Sequence, residues 1–157
     1  MKIIKLVNNK GEMLVSGEDY DLLKNVSWYL DRLGYARGQI NGKWILAHRF
    51  IKGSLEKTHI DHVNGNKLDN QRENLRFAAP FQNVANQKKS KANKSGYKGV
   101  FFNKKLKKPW VARIGYNNKS EHLGSYETAE EAAKVYDWAA KRYFGRFAKT
   151  NDMLEHI

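Results

Sequence analysis

Residues 60–83 read IDHVNGNKLDNQRENLRFAAPFQN, and this stretch decides how the first half of the chain is built. A short apolar run ends in Asp61-His62, and an asparagine-rich loop of about a dozen residues follows. Asn74 sits in Glu73-Asn74-Leu75-Arg76, and a second apolar-periodic stretch, opened by Pro80, presents Asn83. Proline suits the first turn of a helix, where its missing donor costs nothing, so a helix is expected from Pro80 to Lys88.

The residue types in this stretch fit phosphodiester hydrolysis. The attacking water must lose a proton, and a neutral imidazole accepts one near pH 7. The crowded negative charge on the phosphate needs a hard cation with oxygen ligands, which carboxylate and asparagine side chains supply. On this reading His62 is the general base, and Asp61 and Asn83 hold the ion. Adjacent side chains on a flat strand point to opposite faces. Asp61 and His62 can therefore share a site only where the strand ends or bends, and Asn64-Gly65-Asn66 provides that bend.

The string resembles the HNH nucleases of phage and intron homing endonucleases. His62 stands at the first letter, Asn74 at the middle one and Asn83 at the last position, and the run Leu68-Asp69-Asn70-(x)3-Asn74-Leu75-Arg76 is similar too. The resemblance implies a ββα-metal module over about residues 56–90, within a nuclease domain of residues 1–90. It gives Asn74 a structural role, pinning the long loop by backbone hydrogen bonds, and Asn83 a metal role. The expected cofactor is one divalent metal, magnesium or manganese. With no cysteine there are no disulfides and no thiolate zinc site.

Upstream, residues 1–47 read as short strands and turns: a hairpin of Ile3–Val7 with Glu12–Val15, then a short helix from Ser16 capped by Ser16 or Asp19. A meander of Trp28–Leu30, Tyr35–Ile40 and Lys43–Ala47 follows, with an Asn41-Gly42 turn. His48–Gly53 reads as one or two helical turns. His48 is expected to be packed, His59 structural or exposed, and His156 near a frayed terminus.

Charge singles out the middle of the chain. The formal net charge is +13. Residues 84–119 hold 11 Lys+Arg and no acid, against 13 Lys+Arg and 9 Asp+Glu in residues 1–83. That basic block is interleaved with Tyr97, Phe101, Phe102, Trp110 and Tyr116 on strand-like segments without the helical period a membrane-surface binder needs. Nucleic acid is the better partner. The basic, polar run after Val84 reads as a linker, with a domain boundary near residues 89–95.

Beyond the linker, Tyr97–Phe102, Trp110–Tyr116 and Glu121–Tyr126 read as three strands, the last two joined by an Asn-Asn-Lys turn. Thr128 and Glu131 form a capping box that opens a helix, with Ala132, Val135, Tyr136, Ala139 and Tyr143 as its apolar stripe and Gly145 as its stop. Residues 95–151 resemble the DNA-binding domain of plant ethylene-responsive and APETALA-two-type regulators. The matching pieces are Tyr97-Lys-Gly-Val, Trp110-Val-Ala-Arg-Ile, Leu123-Gly-Ser-Tyr and Thr128-Ala-Glu-Glu-Ala-Ala, continuing to Gly145 and Asn151. The resemblance implies a three-stranded sheet that enters the major groove, buttressed by one helix. It puts Lys98, Phe101, Asn103, Arg113, Ser120 and His122 at DNA-facing positions. Several of these replace the family's arginines, so phosphate contacts from Lys104, Lys105, Lys107 and Lys108 should outweigh base readout. Trp110, Ile114, Leu123 and Trp138 are expected to pack between sheet and helix.

The sequence thus predicts an α+β chain: a β-rich N-terminal segment, an HNH module, a basic linker, and a sheet-and-helix DNA reader at 95–151. The expected function is a homing-type DNA endonuclease, a monomer acting on double-stranded DNA in the cytoplasm, with no membrane association. The alternative is a catalytically silent, sequence-specific DNA-binding regulator.

Overall fold

The computed structural model describes residues 1–54, 58–87, 93–117 and 119–153, with Asn8 and Val84 described by backbone alone. The helix expected to run from Pro80 to Lys88 ends at Ala85, with a turn at Asn86; Lys88 itself, most of the expected linker, Asn118 of the Asn-Asn-Lys turn, and His156 lie outside the described residues. The chain divides into two compact units, Met1–Ala79 and Pro80–Ile157. The architecture is mixed α+β, with four small sheets and four α-helices among the described residues. None of those helices is long and apolar enough to cross a membrane.

The first unit is built from short elements. Strands β1 (Lys2–Lys5) and β2 (Glu12–Val15) pair antiparallel. The two-residue β7 (Asp69–Asn70) joins β2 in parallel, with Leu14 opposite Asp69 and Val15 opposite Asn70. Helix α1 (Gly17–Leu23) starts after Ser16, but Ser16 makes no side-chain cap. Its hydroxyl instead accepts from the Arg72 amide at 2.9 Å, while the Asp19 carboxylate takes Arg72 Nε at 2.9 Å and Nη2 at 2.7 Å. A long-range clamp on the Arg72 turn thus takes the oxygens that were expected to cap the helix.

The meander appears as β3 (Trp28–Leu30), β4 (Ala36–Ile40) and β5 (Lys43–Leu46), followed by α2 (Ala47–Lys52). Gly53 ends α2 in the left-handed conformation, φ 58°. Strands β6 (His59–His62) and β8 (Leu75–Ala78) form a two-stranded antiparallel sheet. One core serves all of these elements: Leu6, Met13, Val15, Leu23 and Trp28 are essentially inaccessible, with Ile51, Ile60 and Leu75 beside them. Residues 1–47 therefore pack into the same core as the Asp-His strand.

The second unit opens with α3 (Pro80–Ala85). Strands β9 (Val100–Phe102), β10 (Trp110–Tyr116) and β11 (Lys119–Tyr126) form an antiparallel sheet in the order β11-β10-β9. Helix α4 (Ala129–Phe144) covers one face through Ala129, Ala132 and Ala133 against Val100 and Ala112. The capping box is made, with Thr128 Oγ1 accepting from Glu131 N at 3.2 Å and Glu131 Oε2 accepting from Thr128 N at 3.4 Å. Trp110 and Leu123 pack against this core and Ile114 is buried. Trp138, expected with them, is 63% exposed, with the Arg142 guanidinium over its ring at 5.6 Å. At 3.6 residues per turn it lies about 200° around the helix from the buried Tyr136, which turns it away from the sheet.

Candidate active site and nucleic-acid face

Strand β6 ends at His62, and the chain turns at once, with Gly65 N donating to His62 O at 2.9 Å and Gly65 at φ 74°. Asp61 stands directly opposite Arg76 on β8. Arg76 donates from Nε at 2.8 Å and from Nη2 at 2.7 Å to Asp61 Oδ2, and Asp61 is buried. Two charge-assisted bonds to one oxygen fix the carboxylate's orientation.

Asn74 closes the loop that follows. Its Oδ1 accepts from Asn64 N at 3.0 Å, its Nδ2 donates to Asp69 O at 2.7 Å, and its carbonyl accepts from Val63 N at 2.9 Å. Asn64 Nδ2 adds a bond to Asp69 Oδ2 at 2.7 Å. The loop therefore has a defined course, which brings Asn70 back against His62: Asn70 Oδ1 lies 3.2 Å from His62 Nε2, with both residues buried.

Two more rings complete the surroundings of His62. His48, from α2, meets it edge-on with centroids 5.2 Å apart, and Tyr35, just before β4, lies 5.9 Å away. Lys67 sits over the Tyr35 ring at 4.6 Å and donates to Leu33 O at 2.8 Å. Burial pushes the His62 imidazole below its usual pKa, opposed by the bond to Asn70 and by the carboxylates of Asp61 and Asp69. Burial, and then the neighbouring His62 and Arg49, push His48 down to about 3. Both imidazoles are neutral at pH 7, the state in which a histidine can accept a proton.

Among the described residues no three His, Cys, Asp or Glu side chains gather into a metal cluster. The Asp61 carboxylate is a hard oxygen donor of the kind that suits magnesium or manganese. Asn83 stands on α3, at the start of the second unit.

In the second unit the sheet has two unlike faces. Val100, Ala112 and Ile114 are buried on the helix side. On the other face Phe101 stands opposite Val111, Arg113 opposite His122, and Ser120 opposite Gly115. The structure therefore brings Phe101, Arg113, Ser120 and His122 onto one exposed surface. A register shift between Ala112 and Arg113 sets Leu123 as the extra residue, and this keeps His122 and Arg113 in line. The β9–β10 connection carries Lys104, Lys105, Lys107 and Lys108, all exposed, and Asn103 organises it by accepting from Lys105 N at 3.1 Å and donating its own N–H to Pro109 O at 2.7 Å.

Lys98 is placed differently. Its Nζ donates to Ala85 O at 2.5 Å and Gln87 O at 2.7 Å, and burial pushes its pKa down to about 8. It ties off the end of α3. Asn151 grips the Lys98 backbone, accepting from its N–H at 2.6 Å and donating to its carbonyl at 3.2 Å.

A buried acid, imidazole and amide at the end of a strand, followed in the chain by a sheet module with a lysine-rich loop, are the pieces that a nuclease joined to a nucleic-acid reader needs. Comparison with known proteins agrees. The chain is 33% identical over 143 residues to an uncharacterised HNH endonuclease of Acanthamoeba polyphaga mimivirus, covering 87% of this chain and 73% of that protein. It is also 33% identical over 91 residues to protein 3.8 of Escherichia phage T7, covering 58% of this chain and 74% of the phage protein. Over 51 residues it is 54% identical to an ethylene-responsive transcription factor of Arabidopsis thaliana, covering 31% of this chain and 12% of the plant protein. No sequence-family model matches the chain. The chain belongs to the HNH endonuclease family, and part of it is similar to the plant ethylene-responsive regulators.

Sequence reasoning missed Tyr35, His48, Asn70 and Arg76 as neighbours of the Asp-His pair. Asn70 lay in plain view within the quoted motif. Arg76 could have been found by pairing the two strands around the loop. Tyr35 and His48 carry no local signal, because tertiary packing alone brings them in.

Proposed function

We propose that this chain is a homing-type DNA endonuclease, with residues 1–90 as the nuclease domain and residues 95–151 directing it to double-stranded DNA. The observation that carries the reading is the buried His62 at the end of β6, held by Asn70 and flanked by an ion-paired Asp61. His62 takes the proton of the attacking water. Asp61, oriented by Arg76, and Asn83 supply the metal ligands; the role of Asn83 rests on its place in the sequence pattern. A divalent cation bound there, magnesium or manganese, would offset charge on the phosphate and on the leaving 3′ oxygen. The products carry 5′-phosphate and 3′-hydroxyl ends, and one site in a monomer nicks one strand.

The exposed face of β9–β11 meets DNA through Phe101, Arg113, Ser120 and His122. The lysines of the β9–β10 loop meet phosphates, with Asn103 shaping that loop. Joining the reader to the nuclease raises the local concentration of the cutting site on bound DNA without altering its chemistry.

Supercoiled plasmid bearing a candidate target, incubated with wild type or His62→Ala in magnesium or EDTA, tests the reading. Magnesium-dependent relaxation that disappears in His62→Ala is expected. Binding on a gel without cleavage on any DNA would instead favour a DNA-binding regulator.

A further inference from the structure

We infer that Phe101 is a specificity-determining residue: its ring packs on the C5-methyl group of a thymine in the major groove, about two base steps from a guanine held by Arg113. The inference rests on the reading that the exposed face of β9–β11 lies against duplex DNA, and it adds which bases that face selects. Lysine–phosphate contacts fix position but carry no base information. The choice of target therefore falls to side chains on the sheet itself. In the major groove the base pairs differ in their donors, their acceptors and one apolar group, the thymine methyl. Of these a phenyl ring matches the methyl.

The two neighbouring aromatic residues of β9 face opposite ways. Phe102 stands opposite Trp110, and their rings meet edge-on with centroids 5.0 Å apart. Trp110 packs against the core under α4. Phe101, next to Phe102 in the strand, therefore lies on the other face, and it is 54% exposed. Its cross-strand neighbour there is Val111, which is 4% exposed. Together they make an apolar patch beside the polar side chains of Arg113, Ser120 and His122, on a sheet flanked by the four-lysine loop.

The β9–β10 ladder continues past this patch, with Arg113 N donating to Gly99 O at 2.8 Å. Gly99 thus stands beside Arg113, and the Cβ it lacks would fall against the Tyr136 ring of α4. Strand β9 accordingly puts no side chain next to Arg113 on the exposed face. Phe101 and Arg113 are diagonal neighbours across the two strands, a separation of about 7–8 Å. Stacked bases along one strand are about 3.4 Å apart, so that separation spans about two steps. Arginine pairs bidentately with guanine O6 and N7. The face offers a fork for a guanine and, two steps away, a ring for a thymine methyl.

The test is binding-site selection by the full-length protein from a random duplex pool, in EDTA so that nothing is cut, followed by fluorescence anisotropy on the selected duplex. Selected sites should share a thymine about two steps from a guanine. Replacing that thymine by deoxyuridine removes only the methyl and should raise Kd about fourfold, the contribution of burying one such group. Phe101→Ala, a change at an exposed position, should bind the thymine and deoxyuridine duplexes equally. Arg113→Ala should lose the shared guanine from its selected sites and keep the preference for thymine over deoxyuridine. Equal binding of the two duplexes by wild type would overturn the proposal, as would a preference that survives Phe101→Ala. So would a pool with no preferred thymine. Tighter binding of the single strand than of the duplex would assign the ring to base stacking instead. Binding of no duplex at all would refute the DNA reading itself, and the inference with it.

Discussion

At the scale of single residues, burial decides the charge of the imidazoles near Asp61. His48 is 5% exposed and held down to about 3, so it is neutral when folded and must take up a proton before it can ionise in place. Unfolded, it ionises near 6.5. The unfolded chain therefore binds more protons between these values, and stability present above pH 6.5 is lost as pH falls toward 3. At pH 5 this one group lowers stability by on the order of 2 kcal/mol relative to neutral pH. His48→Gln should lose less stability than wild type between pH 7 and pH 5 in urea unfolding. Parallel curves for the two proteins would mean that His48 is not buried neutral. Lys98 shows the opposite use of a charged residue: its ammonium closes a helix end on two carbonyls, a task that charge patterning along the sequence does not reveal.

At the scale of elements, the second unit depends on a backbone that passes close beneath α4. Gly99 has φ 73°, and a Cβ built there would fall 2.0 and 2.2 Å from ring atoms of Tyr136. Gly96, three residues earlier, has φ 83° with nothing within 4 Å of its would-be Cβ. Both positions carry the left-handed penalty of about 1–2 kcal/mol for an alanine, and Gly99 alone adds the clash. Gly99→Ala should therefore lower the denaturant midpoint of the second unit clearly more than Gly96→Ala does. Equal shifts would mean that Tyr136 moves aside at little cost. In the first unit the corresponding feature is the 63–74 loop, where asparagine side chains replace regular ladder bonds: Asn74 and Asn64 between them bond Asn64 N, Asp69 O and Asp69 Oδ2.

At the scale of the whole molecule, two units with separate cores carry one imbalance of charge, a net +13 with its all-basic stretch inside residues 84–119. The four exposed lysines of the β9–β10 loop belong to that stretch, as does Arg113 on the Phe101–His122 face. Removing one lysine–phosphate interaction should lower the magnitude of the slope of log K against log salt by about 0.9. Replacing Lys104, Lys105, Lys107 and Lys108 together by alanine should therefore flatten the salt dependence of duplex binding by about 2 to 4, as read by fluorescence anisotropy across a salt series. An unchanged slope would place the phosphate-binding residues elsewhere.

By itself the sequence determined the order of elements, the Asp61-His62 pair at a strand end, the loop through Asn74, the capped α4 and the basic block, because each is written in local pattern: alternation, turn residues, a capping box, charge. The partners of those residues were decided by tertiary structure. Ser16 gave up its cap to Arg72, Trp138 turned outward, Lys98 turned to carbonyls, and Asn70, Tyr35 and His48 converged on His62 from three different parts of the chain. Local pattern states which face of an element is apolar. Which polar atom that face meets depends on loop closure and packing between segments distant in sequence, and those exist only once the core of Met13, Val15, Leu23 and Trp28 has formed.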